Sequence, residues 1–271
     1  MSRAYVHGYD ERESTRLQDQ ASSVLELLHS DTRYPAGASV LEAGCGTGAQ
    51  TVTLARNNPG ARFTSVDLSS VSLEEAKKRV AAAGLSNVQF RQEDIFALPF
   101  APASFDHVFV CFLLEHLARP LDALRALKTM LKPGGTITVF EGDHGSTYFH
   151  PDNALAHRAV QCLVDLQAQA GGNANIGRQL YPLLREAGFG AVRVSPRMVY
   201  VDASKPKLVD SFTRKTFAAM IDGVREPAIR AGMMSAADFD AGIRALHRAA
   251  EDDGVFCYTF FKGVGLRETK S

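Results

Sequence analysis

The architecture of this chain is predicted from one segment, Val40-Leu41-Glu42-Ala43-Gly44-Cys45-Gly46-Thr47-Gly48. An apolar run ends in an acid, and glycines then occupy every second position. Glycines at the end of a buried strand let the backbone approach a ligand where any Cβ would collide with it. Residues 49–56 then have the pattern of a helix. We therefore predict a strand, a ligand-binding turn and a helix, with a purely structural turn as the alternative.

The glycine spacing argues against phosphate as the ligand. No Lys followed by Ser or Thr comes after the last glycine, and G-x-G-x-G differs from the dinucleotide pattern G-x-G-x-x-G. Glu42 lies two residues before the first glycine, where it would repel an anion and suits a ligand that carries an ammonium or sulfonium charge. A strand-end acid bonded to nearby amides is the alternative interpretation of Glu42.

Two further acids follow later strands. Asp67 ends a strand predicted over residues 62–66, where a carboxylate can accept both hydroxyls of a ribose. Asp67 could equally cap the following helix. Asp94 follows a strand over residues 88–91 and precedes Ile95, a pair that suits the amino group and ring of adenine. A solvated loop acid is the alternative interpretation of Asp94.

Five motifs follow one another along the chain: Leu41-Glu42-Ala43-Gly44-Cys45-Gly46-Thr47-Gly48, Val66-Asp67-Leu68-Ser69, Gln92-Glu93-Asp94-Ile95 with Leu98-Pro99-Phe100, Phe105-Asp106-His107-Val108 leading to Leu114-Glu115-His116-Leu117, and Leu131-Lys132-Pro133-Gly134-Gly135. In this order they resemble the class I S-adenosylmethionine-dependent methyltransferases, and within them the ubiquinone/menaquinone-biosynthesis-like branch of small-molecule enzymes. The likeness covers residues 36–145. Five matches at compatible spacings are far more specific than one glycine motif.

The resemblance implies a fold and a cofactor. The fold is an α/β, Rossmann-like sheet of seven mostly parallel strands with helices on both faces, an antiparallel last strand and an added helical lid. The cofactor is S-adenosyl-L-methionine, with S-adenosyl-L-homocysteine as product. Alternation of short apolar strands with helical stretches favours this architecture independently, with strand four over residues 107–111 and strand five over 136–141. By resemblance, the cofactor-binding residues are Glu42, Gly44, Cys45, Gly46, Gly48, Asp67, Leu68, Asp94, Ile95, Cys111, Phe112 and Tyr9.

Length and composition suit one large α/β domain with additional helices. The chain has 271 residues, of which 45% are hydrophobic. We predict an N-terminal helical cap over residues 1–35, a core over 36–202 and 253–271 with a helical insertion near 146–176, and a helical lid over 203–252. The Phe- and Met-bearing faces of the lid suit an apolar substrate pocket. Helices that only pack on the core or on another subunit are the alternative.

Charge and cysteine usage limit the partners. Thirty basic and thirty acidic residues leave no net charge, so no global electrostatic attraction to nucleic acid is expected. The four cysteines lack C-x-x-C spacing, which is typical of reduced thiols. The sequence shows neither a long apolar run nor an apolar N-terminal signal. We expect a cytoplasmic monomer or homodimer that uses a small-molecule acceptor, no metal, no nucleic acid and no membrane.

Methyl transfer from a sulfonium by direct in-line displacement depends mainly on alignment and exclusion of water. A base helps when the acceptor starts protonated. His144, expected just beyond strand five, is the first candidate, with Asp143 or Glu141 to orient it, and His116 is a second. Hydrogen bonding to loops is the alternative for the first three residues, and packing behind the loop is the alternative for His116. The candidate substrate contacts are Tyr5, Tyr148, Arg178, Tyr181 and Tyr200.

The expected activity is therefore methylation of a small molecule. Methylation of a macromolecule is an alternative, disfavoured by the zero net charge and by Cys111-Phe112-Leu113-Leu114, because amino-group nucleic-acid methyltransferases often carry Asn/Asp-Pro-Pro-Tyr/Phe there. A non-catalytic module that binds the donor is a further alternative. The acceptor atom, whether oxygen, nitrogen, sulfur or carbon, does not follow from the sequence.

Overall fold

The computed structural model describes residues 27–269. These residues form a seven-stranded sheet. The strands of this region are β1 (Ser39–Ala43), β2 (Arg62–Asp67), β3 (Val88–Gln92), β4 (Phe105–Cys111), β5 (Leu131–His150), β6 (Gly190–Val201) and β7 (Val255–Leu266). Their order in the sheet is β3-β2-β1-β4-β5-β7-β6, with six parallel strands and an antiparallel last strand. The predicted fold class is confirmed.

Helices surround the sheet and connect its strands. They are α1 (Ala49–Asn57), α2 (Ser70–Ala82), α3 (Pro120–Met130), α4 (Ala154–Gln169), α5 (Leu180–Glu186), α6 (Pro206–Leu208), α7 (Ala219–Asp222), α8 (Arg225–Arg230) and α9 (Ala236–Arg248), with 3-10 helices at Leu114–His116 and Ile176–Gln179 and a π-helix at Val209–Ala218. Ser235 caps α9, because its hydroxyl accepts the Asp238 N–H at 3.1 Å. Among residues 27–269, no helix is long and apolar enough to cross a membrane.

Strand β1 lies inside the sheet and pairs in parallel with β2 and β4. Leu41 lies opposite Thr64 on β2 and Val108 on β4. Leu41 and Val108 are completely buried, as expected for parallel strands covered on both faces. The parallel register brings the carboxyl ends of these strands to one edge, where open α/β sheets bind ligands.

The opposite ends of three strands are joined by Asp106 at the start of β4. Its Oδ2 accepts the backbone N–H and the hydroxyl of Ser39 at 2.8 and 2.7 Å. Its Oδ1 accepts a hydrogen bond from Lys132 Nζ at 2.7 Å. The Lys132 ammonium and the Ser39 hydrogen bonds hold the pKa of Asp106 well below its usual value. One ionised carboxylate thus stabilises the starts of β1, β4 and β5 together.

The described chain packs as two compact units. The sheet unit comprises residues 27–141, Ile176–Pro196 and 261–269, and the helical unit comprises Gly142–Asn175 and Arg197–Phe260. Strands β5, β6 and β7 each contribute residues to both units. Most of the predicted cap over residues 1–35 lies outside the described residues. The predicted boundaries of core and lid stay a prediction, and the two packing units divide the chain at other positions.

Strand β5 is much longer than the predicted residues 136–141, since it runs over Leu131–His150. Glu141 lies within the strand, as the predicted range has it. Asp143 and His144 also lie within the strand, and the prediction that His144 lies just beyond it is wrong. Their polarity is typical of a loop, yet all three are buried. Tertiary packing has overridden the local preference. Within the helical insertion predicted near residues 146–176, α4 begins after Asn153.

The helical unit packs around aromatic side chains of β7. Phe212 and Phe217 both lie on the π-helix, and both contact Tyr258, with ring centroids 6.1 and 5.6 Å apart. Phe217 also lies 4.7 Å from Phe256. In a π-helix the hydrogen bonds join residues five apart, so Phe212 and Phe217 share one side. The sequence predicts a helix in this region but not its wider turn.

Candidate functional site

The glycine turn connects β1 to α1 at the carboxyl edge of the sheet. Gly44, Gly46 and Gly48 have φ values of +72°, +52° and +78°, in the left-handed region that favours glycine. The N–H groups of Gly44 and Cys45 donate to the carbonyl oxygen of Val66 at 2.8 and 3.0 Å. The turn is thereby fixed to the end of β2.

The three glycines differ in what surrounds them. A Cβ on Gly44 would lie 2.7 Å from Leu113 Cδ1, and one on Gly48 would lie 2.8 Å from Ala76 Cβ. Among residues 27–269, no atom would lie within 4 Å of a Cβ on Gly46. Packing therefore requires Gly44 and Gly48, whereas Gly46 presents bare main chain to open space, as a ligand-binding turn needs.

Glu42 lies directly before the turn and is only 2% exposed. Its Oε2 accepts hydrogen bonds from the hydroxyls of Thr51 on α1 and Ser65 on β2, at 2.8 and 2.6 Å. Burial raises the pKa of Glu42 to about 7, against the effect of these two hydrogen bonds, and the charge of Asp67 raises it further. Glu42 thus joins β1, β2 and α1 from below the turn. Its predicted role toward a cationic ligand stays a prediction.

Asp67 links the glycine turn to the beginning of α2. Its Oδ2 accepts the Gly46 N–H at 2.8 Å, and its Oδ1 accepts the Ser69 N–H at 2.9 Å. The cap of α2 is Ser69, whose hydroxyl accepts the Ser72 N–H at 3.2 Å. Each carboxylate oxygen can accept more than one hydrogen bond, so half-buried Asp67 retains capacity for ligand hydroxyls.

The remaining predicted contacts of the adenosine part lie after β2 and β3. Asp94 is exposed and its Oδ1 accepts the Phe96 N–H at 2.9 Å, whereas Ile95 is buried in the core. Two apolar side chains beside the acids are open to solvent, since Leu68 is 68% and Phe96 is 37% exposed. Exposed apolar groups next to carboxylates suit a flat heterocycle with a polar edge.

The loop after β4 has an unusual backbone. Phe112 has a φ of +54°, which is uncommon for a residue with a side chain. Its N–H donates to the carbonyl oxygen of Phe140 at 2.9 Å. Cys111 is half-buried, and burial, followed by the charges of Glu141 and other acids, raises the pKa of its thiol well above the usual value. A neutral thiol is a poor nucleophile.

Two of the predicted catalytic residues lie in the sheet unit. Glu141 is completely buried, and its Oε1 accepts the N–H groups of Leu113 and Leu114 at 3.1 and 2.7 Å. Burial and the charge of Glu115 raise the pKa of Glu141 well above its usual value. His116 Nε2 lies 3.6 Å from Glu115 Oε1. Glu141 thus binds the loop after β4 from strand β5, and His116 lies in the 3-10 helix of that loop.

The other two predicted catalytic residues, Asp143 and His144, lie in the helical unit. His144 is only 5% exposed, and its Nδ1 lies 3.0 Å from the Ala174 carbonyl oxygen and 3.2 Å from the Tyr258 hydroxyl. Because a carbonyl oxygen only accepts, we assign the proton to Nδ1. The neutral ring then carries its basic lone pair on Nε2. Asp143 is buried, and its carbonyl oxygen accepts the Ser146 hydroxyl at 2.7 Å.

The predicted substrate contacts lie in different parts of the chain. Arg178 and Tyr181 are exposed residues of the sheet unit, and Tyr148 and Tyr200 are exposed residues of the helical unit. Tyr148 lies with its hydroxyl 3.8 Å from Met198 Sδ. The predicted contacts Tyr5 and Tyr9 lie outside the described residues. Among residues 27–269, no group of three or more His, Cys, Asp or Glu side chains could hold a metal ion.

Sequence reasoning missed the groups that hold the candidate residues in place. The partners of Glu42 are 9 and 23 positions away, and Tyr258 is 114 positions from His144. Leu113, which packs against Gly44, is another residue whose role the sequence did not indicate. None of these side chains carries a local motif, because its role arises only from the pairing of distant strands.

Residues 40–135 match the family described as "Methyltransferase domain". An uncharacterized 37.1 kDa protein in transposon TN4556 of Streptomyces fradiae is 33% identical over 208 residues, 76% of this chain and 59% of that protein. The ubiquinone biosynthesis O-methyltransferase of Paracidovorax citrulli is 37% identical over 102 residues, 37% of this chain and 42% of that protein. The chain thus spans less than two thirds of the length of either relative.

A solved structure with a similar fold is phosphoethanolamine N-methyltransferase 2 of Haemonchus contortus, in complex with phosphomonomethylethanolamine and S-adenosylhomocysteine. The similarity covers 93% of this chain and 53% of that chain, with a TM-score of 0.57 at 17% identity. At this identity the similarity establishes the fold.

The buried carboxyl group of Glu42 predicts a pH-dependent stability. Its folded-state pKa of about 7 lies above the ~4.3 of an unfolded chain, so the folded state loses stability as pH rises through that interval. Relative to Glu42→Gln, whose amide does not titrate, the wild type should lose about 2 kcal/mol of unfolding free energy between about pH 5 and about pH 8. Urea unfolding at both pH values measures this difference. A difference in unfolding free energy between wild type and Glu42→Gln that does not change with pH would contradict the prediction. Glu186→Gln, on the exposed side of α5, is the control.

Proposed function

Because the chain belongs to the class I S-adenosylmethionine-dependent methyltransferases, we propose that it transfers a methyl group from S-adenosylmethionine to a small-molecule acceptor by direct in-line displacement. The observation that carries this proposal is the bare main chain at Gly46, which faces open space and donates to the Asp67 carboxylate. The donor supplies an electrophilic methyl group on a sulfonium. The protein then has to bind both reactants, align them and exclude water.

The donor-binding residues fit the parts of such a nucleoside. In our proposal, the remaining lone pairs of Asp67 accept the ribose hydroxyls, as acids at this position do in dinucleotide-binding folds. Asp94 accepts from the adenine amino group, and exposed Leu68 covers the ring. Gly46 admits the amino-acid part close to the main chain. Glu42 contributes indirectly, since it binds the hydroxyls of Thr51 and Ser65 below the turn.

The similarity to a ubiquinone biosynthesis O-methyltransferase supports a small-molecule acceptor, and the zero net charge supports it further. His144 is the base in our proposal for acceptors that start protonated. Its ring is buried beside Tyr258, and the Nδ1 proton donated to Ala174 leaves Nε2 basic. This tautomer can remove a proton without first losing one.

Donor binding is tested by two glycine substitutions. Gly46→Ala and Gly37→Ala each place a Cβ at a left-handed glycine that has no atom of the described part of the chain within 4 Å, so both should cost a similar ~1 kcal/mol of stability. Only Gly46→Ala should weaken binding of S-adenosylhomocysteine, by about tenfold or more, because its methyl group occupies ligand space. Titration calorimetry and thermal unfolding measure the two effects. Equal affinities of the two variants would contradict the proposed donor site.

Methyl transfer itself is tested with labelled donor and a panel of phenols, amines, thiols and acidic heterocycles, followed by mass spectrometry. We expect labelled product of low mass from at least one class. Label found only on RNA or protein would instead indicate a macromolecular acceptor. Donor binding without any transfer to the whole panel would favour the non-catalytic binding module.

The base is tested with an acceptor that this panel identifies as a protonated nucleophile. His144→Gln should lower kcat by about 100-fold or more, with unchanged donor affinity and with loss of the acidic limb of the pH–rate profile. His157→Ala, an exposed histidine of the same unit, is the control and should retain full kcat. A His144→Gln enzyme with the wild-type pH profile would show that this ring is not the base.

A further inference from the structure

We propose that Glu141 is a positioning residue for methyl transfer, whose carboxyl group fixes the loop at residues 112–114 against the glycine turn and thereby shapes the donor site. This inference rests on the proposed function. It assigns Glu141 a role that differs from the predicted orientation of His144.

Two successive residues of β5 bind three successive N–H groups of the loop. The Phe140 carbonyl oxygen accepts from Phe112 at 2.9 Å. Glu141 Oε1 accepts from Leu113 at 3.1 Å and from Leu114 at 2.7 Å. Buried backbone donors need partners, and one side-chain oxygen satisfies two of them here. The sheet alone could not, because β4 ends at Cys111.

The loop conformation depends on these hydrogen bonds. Phe112 has a φ of +54°, and a non-glycine residue in the left-handed region costs about 1–2 kcal/mol. Such a conformation persists only where its surroundings fix it. Phe140 holds the N–H of Phe112, and Glu141 holds the N–H groups of the next two residues, Leu113 and Leu114. Removing the Glu141 oxygen would take the acceptor from the buried N–H of Leu114 and from the half-buried N–H of Leu113, and the loop would relax.

The loop position in turn determines the space at the glycine turn. A Cβ on Gly44 would lie 2.7 Å from Leu113 Cδ1, so the Leu113 side chain rests directly on this glycine. Gly44 is also fixed from the other side, since its N–H donates to Val66 at 2.8 Å. A shift of Leu113 is therefore transmitted to the turn that carries Gly46.

The charge state of Glu141 makes glutamine a close substitute. Burial and the charge of neighbouring Glu115 raise the pKa of Glu141 well above its usual value, against the effect of the backbone N–H groups. A neutral carboxyl group donates its proton from one oxygen and accepts at the other. Glu141 Oε2 is buried and has no hydrogen-bond partner among residues 27–269. The amide of a glutamine would present the same accepting oxygen to both loop N–H groups.

The experiment compares Glu141→Gln with Glu141→Leu, which keeps the volume but removes the acceptor. Calorimetry with S-adenosylhomocysteine should show affinity within about threefold of wild type for the first and a loss of about tenfold or more for the second. Hydrogen exchange should show the amides of residues 113 and 114 protected only when an acceptor is present. Thr138→Val, a buried position on the same strand, is the control and should bind like wild type.

Two outcomes would overturn the inference: a folded Glu141→Leu protein with wild-type affinity, or a Glu141→Gln protein as weak as Glu141→Leu. If Glu141→Leu does not fold, Leu113→Ala provides the test, since it removes the contact with Gly44 and should weaken binding by about tenfold. Wild-type affinity of Leu113→Ala would then contradict the proposal. Wild-type protein that binds no S-adenosylhomocysteine would refute the proposed function, whereas binding that is insensitive to these variants would refute only the role of Glu141.

Discussion

The main chain after β1 has to adopt left-handed conformations at three positions within five residues, and the surrounding groups are arranged to maintain that turn. The Val66 carbonyl oxygen binds its first two N–H groups, and the Asp67 carboxylate binds the N–H of Gly46. Leu113 and Ala76 leave no space for a Cβ at the first and last glycine. Only the middle glycine remains open, so geometry itself selects where a ligand can reach the backbone.

Two buried carboxyl groups support this turn from below and from the side. Glu42 bonds hydroxyls of α1 and β2, and Glu141 bonds N–H groups of the loop after β4. Burial raises the pKa of both groups, so much of the cost of burying a charge is avoided by protonation. Both acids thus hold backbone and hydroxyl groups around the glycine turn.

The sequence predicted the elements whose signals are local and failed where partners are distant. The glycine pattern and the apolar runs predicted β1 and β2, because strand periodicity and turn chemistry depend on neighbouring residues. The seven-stranded, mostly parallel sheet was implied by the family resemblance. The sequence predicts that strand five ends at residue 141, yet β5 continues to His150. The partner of His144, Tyr258, belongs to an apolar strand and has no motif. Pairing between remote segments decides such contacts, and periodicity alone does not contain that information.

The π-helix at Val209–Ala218 has a consequence for how this region tolerates change. Side chains five positions apart face Tyr258 together, whereas an α-helix would bring residues three or four apart to the same side. Losing or gaining a single residue here would present a different pair of rings to the aromatic cluster. The packing of this segment therefore constrains the spacing of its aromatic residues more than the identity of the residues between them.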